Sequence, residues 1–232
     1  MSENFELETY LSISPTKFGI FLLNTKNLKN IYNKEITFEK TNFINYSQLK
    51  QFLDENIFKI EKLVGKFIDN IFIIIENEKI LNIQIGVKQR DDNLFVNKAY
   101  LQSSITNAKN LFKDNYPNEK IIHIIINKYL IDGKSHSYIK DNVECEELKL
   151  IIQFKSISKD IKNDLNKVLQ NYQINITKYI DGNYIENFLK EDIEVSKKAF
   201  NILNGCNENE VMVVPKNIKK LGFFEKFFQL FS

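Results

Sequence analysis

The chain of 232 residues has little of what builds most catalytic and metal sites. It carries two cysteines, Cys145 and Cys206, and two histidines, His123 and His136. The cysteines form no metal-ligand spacing and no disulfide framework. Two histidines so placed favour neither a zinc site nor a nucleophile-base-acid triad. Seven glycines are scattered with no Gly-x-Gly cluster, so no glycine-rich loop offers a phosphate cradle. An excess of one charge is missing too: 32 Lys and Arg oppose 30 Asp and Glu, leaving +2 and no basic face outside the C-terminal segment. Lysine is abundant together with isoleucine and asparagine, the pattern of a base-composition bias. It is therefore discounted as a nucleic-acid signal, and no nucleic-acid partner is expected.

Long hydrophobic runs are also lacking. Residues 71–75 and 121–126 are strand-length apolar runs, far too short to span a bilayer. The opening MSENFELETY is acidic and lacks the basic-then-apolar order of a signal peptide. These absences lead to the expectation of a cytoplasmic protein. With 43% hydrophobic and 27% charged residues the composition is that of an ordinary globular chain, one large domain or two small ones.

What the chain does have is concentrated at 216–232, KNIKKLGFFEKFFQLFS. On a helical projection Leu221, Phe223, Phe224, Phe227, Phe228, Leu230 and Phe231 share one arc of about 180°. Glu225, Lys226, Gln229 and Ser232 take the other, and Lys216, Lys219 and Lys220 precede the stripe. Apolar bulk on one side with lysines beside it suits an anionic bilayer surface; the alternative is a helix docking on the body of its own protein. A buried Phe or Leu contributes roughly 1.5–3 kcal/mol, and interfacial insertion is only partial. A lysine near an anionic leaflet adds about 1 kcal/mol. Reversible, peripheral attachment is therefore expected.

The body alternates short strands and helices. Residues 10–13, 18–23 and 31–38 read as strands. Tyr46–Val64 reads as a helix with Ser47 as its N-cap. A buried strand at 72–75 and a half-exposed one at 80–87 follow, with a turn at Asp91-Asp92-Asn93. A helix at 96–112 has Asn97 as its cap. Strands at 121–130 and 147–154 flank an Asp132-Gly133 turn. A helix at 159–169, a strand at 174–180 and a short helix at 185–189 follow; 191–215 is weakly patterned, with helical spacing at 196–203 and an extended stretch at 211–214. The order specifies α+β with α/β character. His123, within an Ile-Ile-His-Ile-Ile-Ile strand, reads as a structural residue, and Glu144, Glu146 and Glu147 as a solvated edge. No catalytic constellation emerges.

At 119–134, EKIIHIIINKYLIDGK, the chain resembles the bacterial cell-division protein FtsA. That actin-like family carries an Ile-Ile-His strand followed by a Tyr and an Asp-Gly turn in its inserted subdomain; here these are Ile121, Ile122, His123, Tyr129, Asp132 and Gly133. The family's proline in this stretch is Ile126. The helix at 96–112, the strand at 148–154, the helix at 159–170 and the amphipathic tail follow the family order.

The resemblance implies a truncated actin-like (ribonuclease-H-like) lobe over 1–78 and 157–190, and an inserted strand-helix-strand-strand (SHS2-type) subdomain over 79–156. A linker at 191–215 and a membrane helix at 216–232 follow. The family's first phosphate loop falls on Leu11-Ser12-Ile13-Ser14-Pro15, where Ser12 replaces an acid, Ser14 replaces a glycine and Pro15 removes an N–H. Its second falls on Glu191-Asp192-Ile193-Glu194-Val195, whose acids would repel phosphate. No cofactor and no enzyme activity are therefore expected. The implied function is a division adaptor at the cytoplasmic side of the inner membrane, with anionic lipids and other division proteins as partners. The alternative is an actin-like component of a type IV pilus or type II secretion system.

Overall fold

The computed structural model describes residues 6–39, 43–139 and 142–211. The chain runs β1 (Leu7–Ile13), β2 (Lys17–Asn24), β3 (Lys29–Thr37), α1 (Tyr46–Val64), β4 (Asn70–Ile75), β5 (Leu81–Val96), α2 (Lys98–Asn115), β6 (Glu119–Ile131), β7 (Lys134–His136), β8 (Val143–Ser158), α3 (Lys159–Gln170), β9 (Asn175–Asp181), α4 (Gly182–Phe188) and α5 (Val195–Leu203). It divides into two compact units. The first takes Met1–Ile80 and Ser158–Asn204; the second takes Leu81–Ile157 and the described residues from Gly205 onward.

The first unit is built on a five-stranded sheet in the order β3-β2-β1-β4-β9. β1, β2 and β3 form an antiparallel meander, while β1, β4 and β9 run parallel. This is the ribonuclease-H-like order of an actin-like lobe. Parallel strands are covered on both faces and so read as continuous apolar runs, as Ile71 to Ile75 does. β2 is buried from Phe18 to Asn24 without alternation, which requires cover on each side. Phe18 meets Phe52 of α1, with ring centroids 6.2 Å apart. α5 also packs on β2.

α1 owes its face to Leu49, Phe52, Leu53, Ile57 and Ile60, spaced at three and four and all buried. Its N-cap is Asn45, not Ser47: the Asn45 side chain accepts from the Gln48 N–H at 3.1 Å. Asn is as good a cap as Ser, and it sits two residues earlier. Gly65, at φ 70°, closes the other end in the left-handed conformation of a helix C-terminus.

The second unit is a four-stranded sheet in the order β5-β8-β6-β7. α2 lays Leu101, Ile105, Ala108 and Phe112 over Leu148, Leu150, Ile152 and Phe154 of β8. Phe112 and Phe154 stack with centroids 5.1 Å apart. Asn97 caps α2 by accepting from the Tyr100 N–H at 2.9 Å. The turn expected at Asp91-Asp92-Asn93 is instead a register shift inside one continuous strand, between Arg90 and Leu94 of β5. A bulge and a turn draw on the same polar residues, and pairing with β8 on both sides carries the strand through.

Within 191–215, expected as a linker, the stretch with helical spacing at 196–203 is a helix. Residues 195–203 form α5, with Ala199 and Ile202 fully buried. Ser196 and the Asn30 side chain exchange hydrogen bonds at 2.9 and 3.1 Å. The chain then enters the second unit. The Ile126 N–H donates to the Asn209 carbonyl at 2.9 Å, and the Val211 N–H to the Ile124 carbonyl at 2.8 Å. This segment adds to the edge of β6, so the second unit is not completed by the insertion alone.

Candidate functional site

A cavity of about 320 Å³ opens in the first unit at the carboxyl ends of β1 and β4, the end of an α/β sheet where ligands commonly sit. Ser12 and Ser14, expected at the first phosphate loop, line it, as do Asp192, Ile193, Glu194 and Val195 of the expected second loop. The structure thus brings the two segments together.

The β1–β2 turn spends its N–H groups on itself. The Ser14 N–H donates to the Lys17 carbonyl at 2.9 Å, and the Thr16 N–H to Ser14 Oγ at 3.3 Å. Pro15 has no N–H to give. A phosphate needs several such donors aimed outward, and this hairpin directs them inward.

Electrostatics point the same way. Glu35, Glu76, Glu186, Asp192 and Glu194 line the cavity against only Lys17 and Lys198. Both lysines are engaged: Lys17 Nζ lies 2.6 Å from Glu35, and Lys198 Nζ 2.5 Å from Glu186. Glu76 is held above its ordinary range by burial and by the charge of Glu186, with Asp181 adding to this and Lys17 opposing it. Glu194 is held low, chiefly by its bond to Lys197. Gly182 lets Glu76 pass, since a Cβ there would come within 2.3 Å of Glu76 Cγ. The residues present do not fit a magnesium nucleotide: the donors are consumed and the walls are acidic.

Glu76, Glu186 and Lys198 are absent from the sequence-based expectations. One signal was available, namely that Ser14, Glu76 and Asp181 each stand at the carboxyl end of an apolar strand.

In the second unit His123 is buried, as a structural residue should be, and its Nδ1 lies 2.6 Å from Glu210 Oε1. His136 lies on β7, exposed. The Asp132-Gly133 turn joins β6 to β7, with φ of 48° and 76°. Asp132 Oδ1 accepts from the N–H groups of Glu146 and Glu147 at 2.9 and 2.8 Å. Asp132, Asp92, Glu144 and Glu146 border a groove of about 550 Å³ beside Phe95 and Cys145. Burial, and then Asp132, push the Cys145 thiol up. Burial and Glu210 push Cys206 to about 11. Both thiols are thus held further from the nucleophilic thiolate than an ordinary cysteine.

Among the described residues no cluster of three or more His, Cys, Asp or Glu is placed to hold a metal ion, and no helix is long and apolar enough to cross a membrane. The expected membrane-binding residues, Lys216, Lys219, Lys220, Leu221, Phe223, Phe224, Phe227, Phe228, Leu230 and Phe231, lie outside the described residues.

No protein-family model and no curated protein matches this chain. Among solved structures, a chain of the PilM-PilN type IV pilus biogenesis complex is similar, at 9% identity and a TM-score of 0.50, over 78% of this chain and 49% of that one. The likeness is one of fold. The cytoplasmic domain of EpsL, an inner-membrane component of the type II secretion system of Vibrio cholerae, aligns at 6% identity and a TM-score of 0.40 over 77% of this chain and 58% of its own. A Bacteroides thetaiotaomicron protein with an actin-like ATPase fold and unknown function aligns at 15% identity and a TM-score of 0.37, over 81% and 59%. The present chain spans about half the length of the PilM-PilN chain that it matches.

Proposed function

We propose that this chain is a non-enzymatic adaptor in an envelope-spanning assembly of the type IV pilus or type II secretion kind, acting on the cytoplasmic side of the inner membrane. One observation carries the reading: an actin-like lobe keeps its sheet order while the cavity at its strand ends is walled by carboxylates and short of free N–H donors. A lobe that cannot hold a phosphate is left with its surfaces as its means of action. The fold it shares with a chain of the PilM-PilN complex supports a protein partner. Anionic lipids are the second partner, through 216–232.

A second reading, an FtsA-like adaptor of cell division, is favoured by the Ile-Ile-His and Asp-Gly pattern at 119–134 and by the amphipathic tail. A fluorescent fusion separates the two: polar or scattered foci support the assembly reading, and a midcell band the division reading. Titration with magnesium-ATP tests the non-enzymatic character, with no saturable binding expected; micromolar binding or turnover would overturn it. Replacing Phe224, Phe227 and Phe228 with Ser should release the protein from anionic vesicles without lowering its melting temperature. Lost stability with retained vesicle binding would assign the tail to self-docking.

A further inference from the structure

β5 is an edge strand, and among the described residues no strand lies on its outer side. An exposed edge is a template for another chain, and proteins usually guard it with charges, prolines, bulges or short length. β5 confines its guards to one end. Lys88, Arg90, Asp91 and Asp92, and the register shift between Arg90 and Leu94, all fall from Lys88 onward. Residues 81–87, LNIQIGV, carry no charge and no proline.

The same stretch alternates strictly. Leu81, Ile83, Ile85 and Val87 pack on the core beside α2 yet stay half-buried, while Asn82, Gln84 and Gly86 are exposed on the other face. A neighbouring strand on the free edge would cover the four apolar side chains further.

We propose that this edge pairs antiparallel with the same edge of a second copy of the chain, about a two-fold axis that sets Gln84 opposite its own symmetry mate. The pattern itself selects this register. Side chains must stay on their own face, so a one-residue slip would set apolar against polar. Among the registers that keep the faces, the one centred on Gln84 alone pairs all four apolar residues with each other, Leu81 with Val87 and Ile83 with Ile85. On the outer face Asn82 meets Gly86 and the two Gln84 amides meet, so no like charges oppose. The contact is isologous and therefore closes as a dimer. A second copy satisfies every position with residues already on the strand.

Cysteine cross-linking in the full-length protein tests the register, with exposed Cys206 changed to Ser. Residues directly opposite in an antiparallel pair have Cα atoms about 4.5–5.5 Å apart, within disulfide reach. Gln84→Cys should therefore form covalent dimers on mild oxidation. Asn82→Cys should not, because its mate stands four residues along the strand, about 13 Å away. Sedimentation equilibrium of the wild type should show a concentration-dependent dimer. The triple variant N82E/Q84E/G86E sets three like-charge pairs across the axis and should weaken it about ten-fold. Gly86 accepts a side chain, since a Cβ there meets nothing closer than 3.4 Å. A wild type that stays monomeric up to about 200 μM, well above the range of ordinary specific interfaces, would overturn the proposal. Equal cross-linking at positions 82 and 84 would do the same. So would β5 amides that gain exchange protection only when an extended partner peptide is added.

Discussion

β2 in the first unit and β5 in the second are neighbours to different worlds. β2 is buried at every position from Phe18 to Asn24. β5 exposes Asn82, Gln84, Gly86 and Lys88 in turn. The first strand lies between two layers, α1 on one face and α5 on the other; the second has a helix on one face and an open edge. A strand covered on both faces can change little without loss of fold. A strand with one open face and one open edge can acquire contacts at small cost to its own core. The lobe draws its polar groups together at one strand end, while the second unit leaves a strand edge unpaired among the described residues.

The sharpest way to break this contrast is to remove cover from the lobe. Ile202 of α5 is fully buried, so Ile202→Ala should cost about 2–5 kcal/mol in chemical denaturation. A change within about 0.5 kcal/mol, the size usual for surface sites, would mean that α5 is not part of the core.

That segment also shows what could be read from the sequence. Helical spacing at 196–203 was readable, but the sheet face it covers was not, because Asn30 and Ser196 are brought together only by the fold. The strands and the order of elements were readable because buried strands are apolar runs and α1 repeats at three and four. Failures came where two local structures share a composition. Asp91-Asp92-Asn93 serves a bulge as well as a turn, and Asn45 caps as readily as Ser47. β7 is three residues, too short to show a period. At the cavity, Ser12, Ser14, Asp192 and Glu194 were anticipated from the family resemblance. Glu76, Glu186 and Lys198 were not, since single charged residues at strand and helix ends look like ordinary surface. Glu210 was invisible as the partner of His123 because 87 residues separate them.

The contrast can be sharpened at that pair, where the second unit depends on residues beyond its insertion. Glu210→Ala removes the acceptor 2.6 Å from His123 Nδ1 inside a buried site. A cost of about 1–3 kcal/mol is expected, with faster hydrogen exchange at the Ile126 amide, which donates to Asn209. Glu210→Gln keeps an acceptor and should recover most of the loss. If Glu210→Ala left both stability and exchange unchanged, Gly205 to Val211 would be a passive strap.

The smallest effect lies at the cavity and turns on pH. Glu76 has a folded-state pKa raised above its ordinary 4.5, first by burial and then by Glu186. The folded state thus binds this proton more tightly than the unfolded chain does. Ionisation is less favourable in the folded protein, so Glu76 lowers stability as pH rises from about its ordinary value through the raised one, and the deficit persists above. Glu76→Gln removes the charge while keeping the shape. It should raise the melting temperature at pH 7, and the gain should shrink to nothing as pH falls below about 4.5, where both carboxyl forms are protonated. The difference between the two proteins across pH isolates this group from the other carboxylates. A variant less stable than wild type at pH 7 would show that Glu76 works as a carboxylate, held by the nearby Lys17 charge, and that the acidic wall stabilises the lobe instead of straining it.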